Sequence, residues 1–505
     1  MSGYVVGADI GSSALKAALL HPDLGVAAVA EHAYPMHRPQ RDWAENDPED
    51  WYRALAAAIP ELLTRAAVPA AEVRALCLVG QRDIAVLLDG DGNVLAPCIH
   101  WTDRRYPEET RELYDRLGRA QLIDRSGTLP IPGLVLPNLA WTKRHQPGVW
   151  RRLRHALQPK DFLAYRLTGD IGTDPTSPTR SILNDWRAED WSAETCQAAG
   201  IPREILPDVR YRPWQPRGVL GDAARDIGLL PGTVLIAGGG DDPAAALGSG
   251  VVDPGDLSIG TGSSMSWRVV AAGPVFDPTG LIGLMPHVAP GRYLHEMVAT
   301  GTGTTLRWFR TAFGDGMSYE QLITGTAAIP RGSEGLLCFP YVEGATVPFQ
   351  DDTARGIYYG ISGHHRRAHF TRATLEGIAY QYPALLGIVR DRGHQIKAMT
   401  ISDGEARSRH WNQVKADVLG EDITPSLRVE APAIGAAILA GLGAGLFRAV
   451  EDGLAVALEL APAVHTDPEA AAVYAGLREH WESVRATVFP SFAACGQPAA
   501  KASDA

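Results

Sequence analysis

Two stretches far apart in this chain share one pattern: an apolar run, a Gly/Ser turn and a second apolar run. Residues 4–20 read YVVGADIGSSALKAALL, and residues 256–270 read DLSIGTGSSMSWRVV. Each predicts strand, tight turn, strand. The pairing of IGSS at 10–13 with IGTGSS at 259–264 points to two related lobes, and 505 residues exceed one ordinary domain. Gly and Pro cluster in GSGVVDPG at 248–255, so the expected division is 1–249, 250–495 and a disordered tail over 496–505, GQPAAKASDA.

Between these stretches the elements mix. Residues 48–66 have helical spacing, with Asp47 as a cap, Pro48 in the first turn and Pro60 placed to bend or split the helix. Residues 73–79 (VRALCLV) predict a buried strand, and 85–88 with 94–99 flank a DGDGN hairpin turn. The expected class is α/β. A net charge of −11 argues against a chain-wide nucleic-acid binder or an acidic-membrane binder. The cysteines Cys77, Cys98, Cys196, Cys338 and Cys495 are scattered without a CxxC pair, which argues against a disulfide framework and a zinc site. No signal-peptide pattern and no 18-residue apolar run is found, so a cytoplasmic protein without a membrane span is expected. The sequence leaves a homodimer open.

Several constellations carry chemistry. Gly11, Ser12 and Ser13 form a small-residue turn that permits close backbone approach to a phosphate. Asp9 at the strand end can hold Mg²⁺ through water, and Lys16 can offset phosphate charge; a plain hairpin with a polar edge is the alternative. In TVLIAGGGDDPAAALGSG, 233–250, a strand runs through three glycines into Asp241, Asp242 and an Ala-rich helix. Phosphoryl transfer to an alcohol needs a carboxylate near the attacking hydroxyl, and Asp241 stands at a strand-to-helix turn. Helix capping accounts for Asp242 but not for three glycines in a row.

In ISDGEARSRHWNQ, 401–413, Gly404 lies between a strand and a helix and can admit a nucleotide, or simply connect the two. Arg82 and Asp83 in GQRD, with Trp101 and Asp103 in HWTDRR, suit a polyhydroxy compound, or else form surface ion pairs. His364, His365 and His369 have no acidic or Cys partner at matching spacing and read as a solvated basic stretch.

Taken in order, these pieces resemble the FGGY carbohydrate kinase family. Asp9-Ile-Gly-Ser-Ser-Ala-Leu-Lys16 is similar to its phosphate hairpin, with serines for threonines. WTDR at 101–104, KDFLAYRLTG at 160–169, Thr173-Asp174 and AGGGDDPAAALG resemble successive family segments. The most specific match is GIYYGISGHHRRAHFTRATLE at 356–376, which fits the family's second signature; the first fits less well, with Asn138 in place of a lysine.

The resemblance implies two ribonuclease-H-like lobes, as in actin and hexokinase, around a central cleft. It implies ATP and Mg²⁺, and a small sugar or polyol as substrate. It makes Asp241 the general base and Asp9 the group that positions Mg²⁺. Ser12, Ser13, Thr261 and Gly262 would cradle phosphates, and Gly303, Gly404 and Ser408 would lie along the nucleotide. Arg82, Asp83 and Asp242 would touch the substrate, a ketopentose such as xylulose or a glycerol-type polyol. Where the family has glycines, this chain has Asp403-Gly404-Glu405, which brings bulk and negative charge to the expected nucleotide site. That departure motivates a silent sugar-binding regulator as a rival; an actin-like or chaperone-like ATPase is a third.

Overall fold

The computed structural model describes residues 3–492 except Pro132, Ser263, Asp352 and Val429, so Cys495 and the expected tail over 496–505 lie outside the described residues. The chain forms two compact units, each discontinuous in sequence. The first holds the chain through Pro254 together with Val270–His295 and Glu430–Leu458, and the second holds Gly255–Val269, Glu296–Val429 and the chain from Glu459.

In the first unit, β1 (Tyr4–Ile10), β2 (Ala14–His21) and β3 (Gly25–Ala33) form an antiparallel meander. β4 (Val73–Gly80) lies parallel to β1 on its other side. β5 (Pro216–Val219) and β6 (Val234–Ile236) complete the order β5-β6-β4-β1-β2-β3. β1 is apolar at nearly every position because both its faces are covered. Val6, Ala8 and Ile10 pack with Trp51, Leu55 and Ile59 of the helix Pro48–Ala66. Val5, on the opposite face, packs with Ala433 and Ala437 of the helix Ala431–Gly443.

That second helix lies on backbone rather than on side chains. A Cβ on Gly7 would stand 2.2 Å from both the Ala433 carbonyl oxygen and the Ala437 amide nitrogen. A Cβ on Gly435 would stand 2.0 Å from the Ala244 carbonyl oxygen, and one on Gly248 1.9 Å from that of Ala431. Small residues thus let the helix Ala431–Gly443 press on both β1 and the helix Asp241–Gly248. Asp47 caps the helix Pro48–Ala66 as expected, accepting from the Glu49 amide at 3.0 Å, and Pro60 leaves that helix unbroken.

The second unit repeats the plan. β7 (Asp256–Thr261) and β8 (Met265–Ala271) are the second strand–turn–strand passage, followed by β9 (Tyr293–Ala299). β10 (Ala398–Ser402) pairs parallel to β7, and β11 (Thr424–Pro425) pairs parallel to β10, giving the run β9-β8-β7-β10-β11 within a six-stranded sheet. In both units an antiparallel strand–turn–strand pair has a parallel strand beside its first strand. The likeness of IGSS and IGTGSS is therefore a likeness of topology. Among the described residues no helix is long and apolar enough to cross a membrane.

The stretch 356–376 is a structural corner. Tyr358 and Thr374 share a 2.6 Å hydrogen bond, and Phe370 packs edge-on against Tyr358. Glu376 is buried and accepts from the Gly332 amide (3.0 Å), Ser333 (3.0 Å), Arg372 (2.8 Å) and Tyr474 (3.0 Å). His364 and His369 do find an acidic partner, through space: Glu334, at 3.0 and 3.1 Å. Among the described residues no group of three or more His, Cys, Asp or Glu side chains is arranged to hold a metal.

Placing a methyl group between β1 and the helix Ala431–Gly443 must push backbone from backbone. Gly7→Ala is expected to cost about 3 kcal/mol, seen as a lower denaturant midpoint at unchanged m-value.

Candidate active site

The carboxyl ends of three parallel strands meet at one edge of the first sheet. Ile10 pairs with Gly80, and Gly80 bridges to Gly240, just past the end of β6. The Gln81 amide donates to the Ile10 carbonyl at 3.2 Å, and the Gly80 amide to that of Gly239 at 3.3 Å. Asp9, the run Gln81-Arg82-Asp83 and Asp241 therefore arrive together, at the edge where open α/β sheets bind ligands. Lys16 stands directly across from Asp9 in the β1–β2 ladder. The turn after Asp9 is held from outside. The Gly11 carbonyl accepts from Tyr34 Oη and from Gln81 Nε2, the latter at 3.2 Å. Trp101 Nε1 donates to the Ser12 hydroxyl at 2.9 Å, which joins an expected substrate residue to an expected phosphate residue.

Each glycine before Asp241 has its own steric reason. Gly238 has a φ of +68°, and a Cβ there would meet the Leu78 carbonyl oxygen at 1.8 Å. At Gly239 it would meet Val288 Cγ1 at 2.7 Å, and at Gly240 the Cδ of Arg82 at 2.3 Å. Packing thus accounts for the run that capping left unexplained.

The helix starts at Asp241, and Gly240 is its cap residue, so Asp242 does not cap it as expected. Asp242 instead accepts from Arg82 Nη2 at 2.8 Å. Arg82 is only 2% exposed; its Nε lies 3.4 Å from Asp241 Oδ1, and its Nη1 donates to Thr179 at 3.0 Å. One guanidinium therefore faces both carboxylates. Asp83 pairs with Arg180 at 3.0 Å.

Asp241 keeps 31% of its side chain open to solvent. Loss of hydration in its recess, with Asp242 beside it, pushes its carboxyl up to about 6, while Arg82 and the Asp242 amide pull the other way. A carboxylate set there can take a proton from an alcohol near neutral pH.

Behind the turn lies a buried network. The Gly240 amide donates to Thr176 Oγ1 at 2.8 Å, and Thr176 Oγ1 in turn donates to Asp174. Lys160 bridges Asp174 and Asp161, both at 2.8 Å, and Arg217 reaches Asp161 at 2.7 Å. Burial opposes the Lys160 charge, yet the two aspartates outweigh it and raise its pKa. The KD and TD pairs noted in the sequence are thus the mount of the Asp241 turn. Thr176 was not singled out by type or spacing. Asn138, standing in place of a lysine, is buried and donates to the Ile99 carbonyl at 3.3 Å.

In the second unit, Glu405 does not project toward a ligand as expected from its bulk and charge. It turns inward, accepts from Thr261 Oγ1 and pairs with Lys415 at 2.6 Å. Ser408 caps the helix Arg409–Leu419, accepting from the Trp411 amide. Cβ positions on Gly262 and Gly404 point into open space, whereas Gly303 lies against the Gly262 carbonyl oxygen, 1.8 Å from where its Cβ would be.

Family models decide the identity. The FGGY carbohydrate kinase N-terminal domain matches residues 4–248, and the C-terminal domain matches 256–444. The chain belongs to the FGGY family of carbohydrate kinases. It is a phosphotransferase, and membership in a kinase family implies ATP as a substrate. Among FGGY relatives, a xylulose kinase of Bacillus subtilis is 30% identical over 449 residues, 89% of this chain and 90% of that one. A glycerol kinase of Azotobacter vinelandii is 30% identical over 467 residues, again 89% and 90%. The crystal structure of xylulose kinase from Rhodospirillum rubrum superposes with a TM-score of 0.87 at 29% identity, covering 97% of this chain and 99% of that one. The two-domain α/β fold is that of FGGY kinases.

Removing Lys160 leaves two buried aspartates without their cation. Lys160→Met is expected to destabilise the protein by about 3–5 kcal/mol, read as a lower midpoint of thermal or denaturant unfolding.

Proposed function

We propose that this kinase transfers the γ-phosphoryl group of ATP to a hydroxyl of a ketopentose such as xylulose, with Asp241 as the base. The observation that carries this reading is the half-exposed Asp241 carboxyl, raised to about 6 at the strand-end edge beside Arg82. Asp241 would accept the hydroxyl proton late, as the phosphoryl group moves. Arg82, Asp83, Trp101 and Asp242 would face the sugar. Because Arg82 spans both aspartates, it would hold Asp241 and Asp242 in register for it.

Ser12 and Ser13 on the turn after β1 and Lys16 in β2, together with Thr261, Gly262, Gly303, Gly404 and Ser408 in the second unit, would bind the nucleotide. Open space over Gly262 and Gly404 supports this, since neither glycine is demanded by packing. The hard oxygens of Asp9, a buried residue, suit a Mg²⁺ ion that takes its other ligands from phosphates and water. Such an ion would neutralise phosphate charge. An ATP-dependent reaction on a small sugar would suit a cytoplasmic location. The xylulose kinases among the relatives support the ketopentose. A glycerol-type polyol is the second reading, favoured by the Arg82-Asp83 pair and the glycerol kinase relative. Glu405, which motivated a silent regulator, supports one no longer, because its charge is paired.

Two measurements test the base. Asp241→Asn is expected to lower kcat by about 10²–10⁴ with the sugar KM little changed; near-normal turnover removes Asp241 from the role. In the parent enzyme the base form is lost as pH falls, so kcat/KM should decline below about pH 6 and stay level above it on the acidic side. ADP release across ketopentoses, glycerol and tetritols ranks the substrates, and a preference for glycerol over every pentulose sinks the first reading.

A further inference from the structure

Glu405 and Lys415 form a buried charge pair at the turn after β10. Lys415 is fully buried, and the Glu405 side chain is 7% exposed. Burial lowers the pKa of the Lys415 ammonium, and the Glu405 carboxylate 2.6 Å away opposes that shift. Trp411 Nε1 donates to Glu405 Oε2 at 3.3 Å, and Lys415 donates to Asn412 Oδ1 at 3.3 Å. Asn412 Nδ2 donates to the Ala406 carbonyl at 2.8 Å. Thr261 Oγ1 donates to Glu405 Oε1, which ties the end of β7 to the turn Gly404–Arg407. The pair is thus bonded to Thr261 and lies in and beside the turn that begins at Gly404.

We propose that Lys415 is a positioning residue for the nucleotide: it cancels the charge of Glu405, whose carboxylate braces the Thr261 and Gly404 turns from below, so that the brace does not repel phosphate. This rests on the reading that those turns hold the nucleotide. A buried anion next to a polyphosphate costs binding free energy, and a buried cation there does not. The carboxylate serves as acceptor for Thr261, and an amide of the same shape can do that too. The role of the pair is therefore separable into shape, which Gln and Met keep, and charge, which they remove.

Opposite signs distinguish charge balance from plain support. Lys415→Met leaves Glu405 unbalanced and should weaken binding of a non-hydrolysable ATP analogue by about tenfold or more, with the sugar KM unchanged. Glu405→Gln leaves the cation and should bind the analogue at least as tightly as the parent. The double variant Glu405→Gln with Lys415→Met should return to within about threefold of the parent. Calorimetry on the full-length proteins reads all three, and the Glu405→Gln arm decides the matter even where Lys415→Met does not fold. Weakening of the same size in Glu405→Gln, or in the double variant as in Lys415→Met, overturns the proposal. The underlying reading fails separately: Gly262→Val, which fills open space, would then bind the analogue as the parent does.

Discussion

The turn that carries Asp241 is held from behind by one hydrogen bond, from the Gly240 amide to the hydroxyl of Thr176. Gly240 has no side chain of its own with which to be held, and the strand-to-helix turn has little apolar surface to pack. Its rigidity is borrowed from Asp174, Lys160, Asp161 and Arg217, a chain of alternating charges with no solvent to loosen it. Such a network is stiff because each member is costly to leave unpaired. Arg82 then closes the turn from the other side, so Asp241 is fixed from behind and in front while its outer face stays wet.

The same economy appears in the second unit with a different outcome. There the buried pair is Glu405 with Lys415, and it binds a threonine hydroxyl instead of a backbone amide. In both units the braced turn lies at the end of a first strand or just after a strand parallel to it. In each, a lysine held wholly inside the protein sets the local charge.

How much of this could be read from the sequence follows from which interactions are local. β1, β2, β4 and β7 were legible because strand periodicity and turn glycines are written in adjacent residues. Asp241 was legible because a strand, three glycines and an acidic pair are contiguous. The partners of those residues were not. Nothing in the spacing ties Arg82 to Asp242, 160 positions away, or Thr261 to Glu405, 144 away. Glu405 looked like an intruder at a glycine turn because its side-chain direction is set by Lys415, ten positions on and inside the helix Arg409–Leu419, and direction is not a sequence property. Asp242 looked like a cap because its type and place allow one, until a buried guanidinium outcompeted the backbone for it. The triple glycine, read as a sign of chemistry, is explained in large part by carbonyl and side-chain atoms standing where a Cβ would go.

The helix Ala431–Gly443 has a consequence for biosynthesis. It covers Val5 and lies on Gly7, residues made long before it. Through that interval the sheet face with Ala18, Leu20, Cys77 and Val79 lacks this part of its cover. A nascent chain in this state presents apolar surface to chaperones and to other nascent chains. The first unit therefore cannot finish its core until residues 431–443 are made, and a stop codon shortly before residue 431 would leave β1 uncovered on that face.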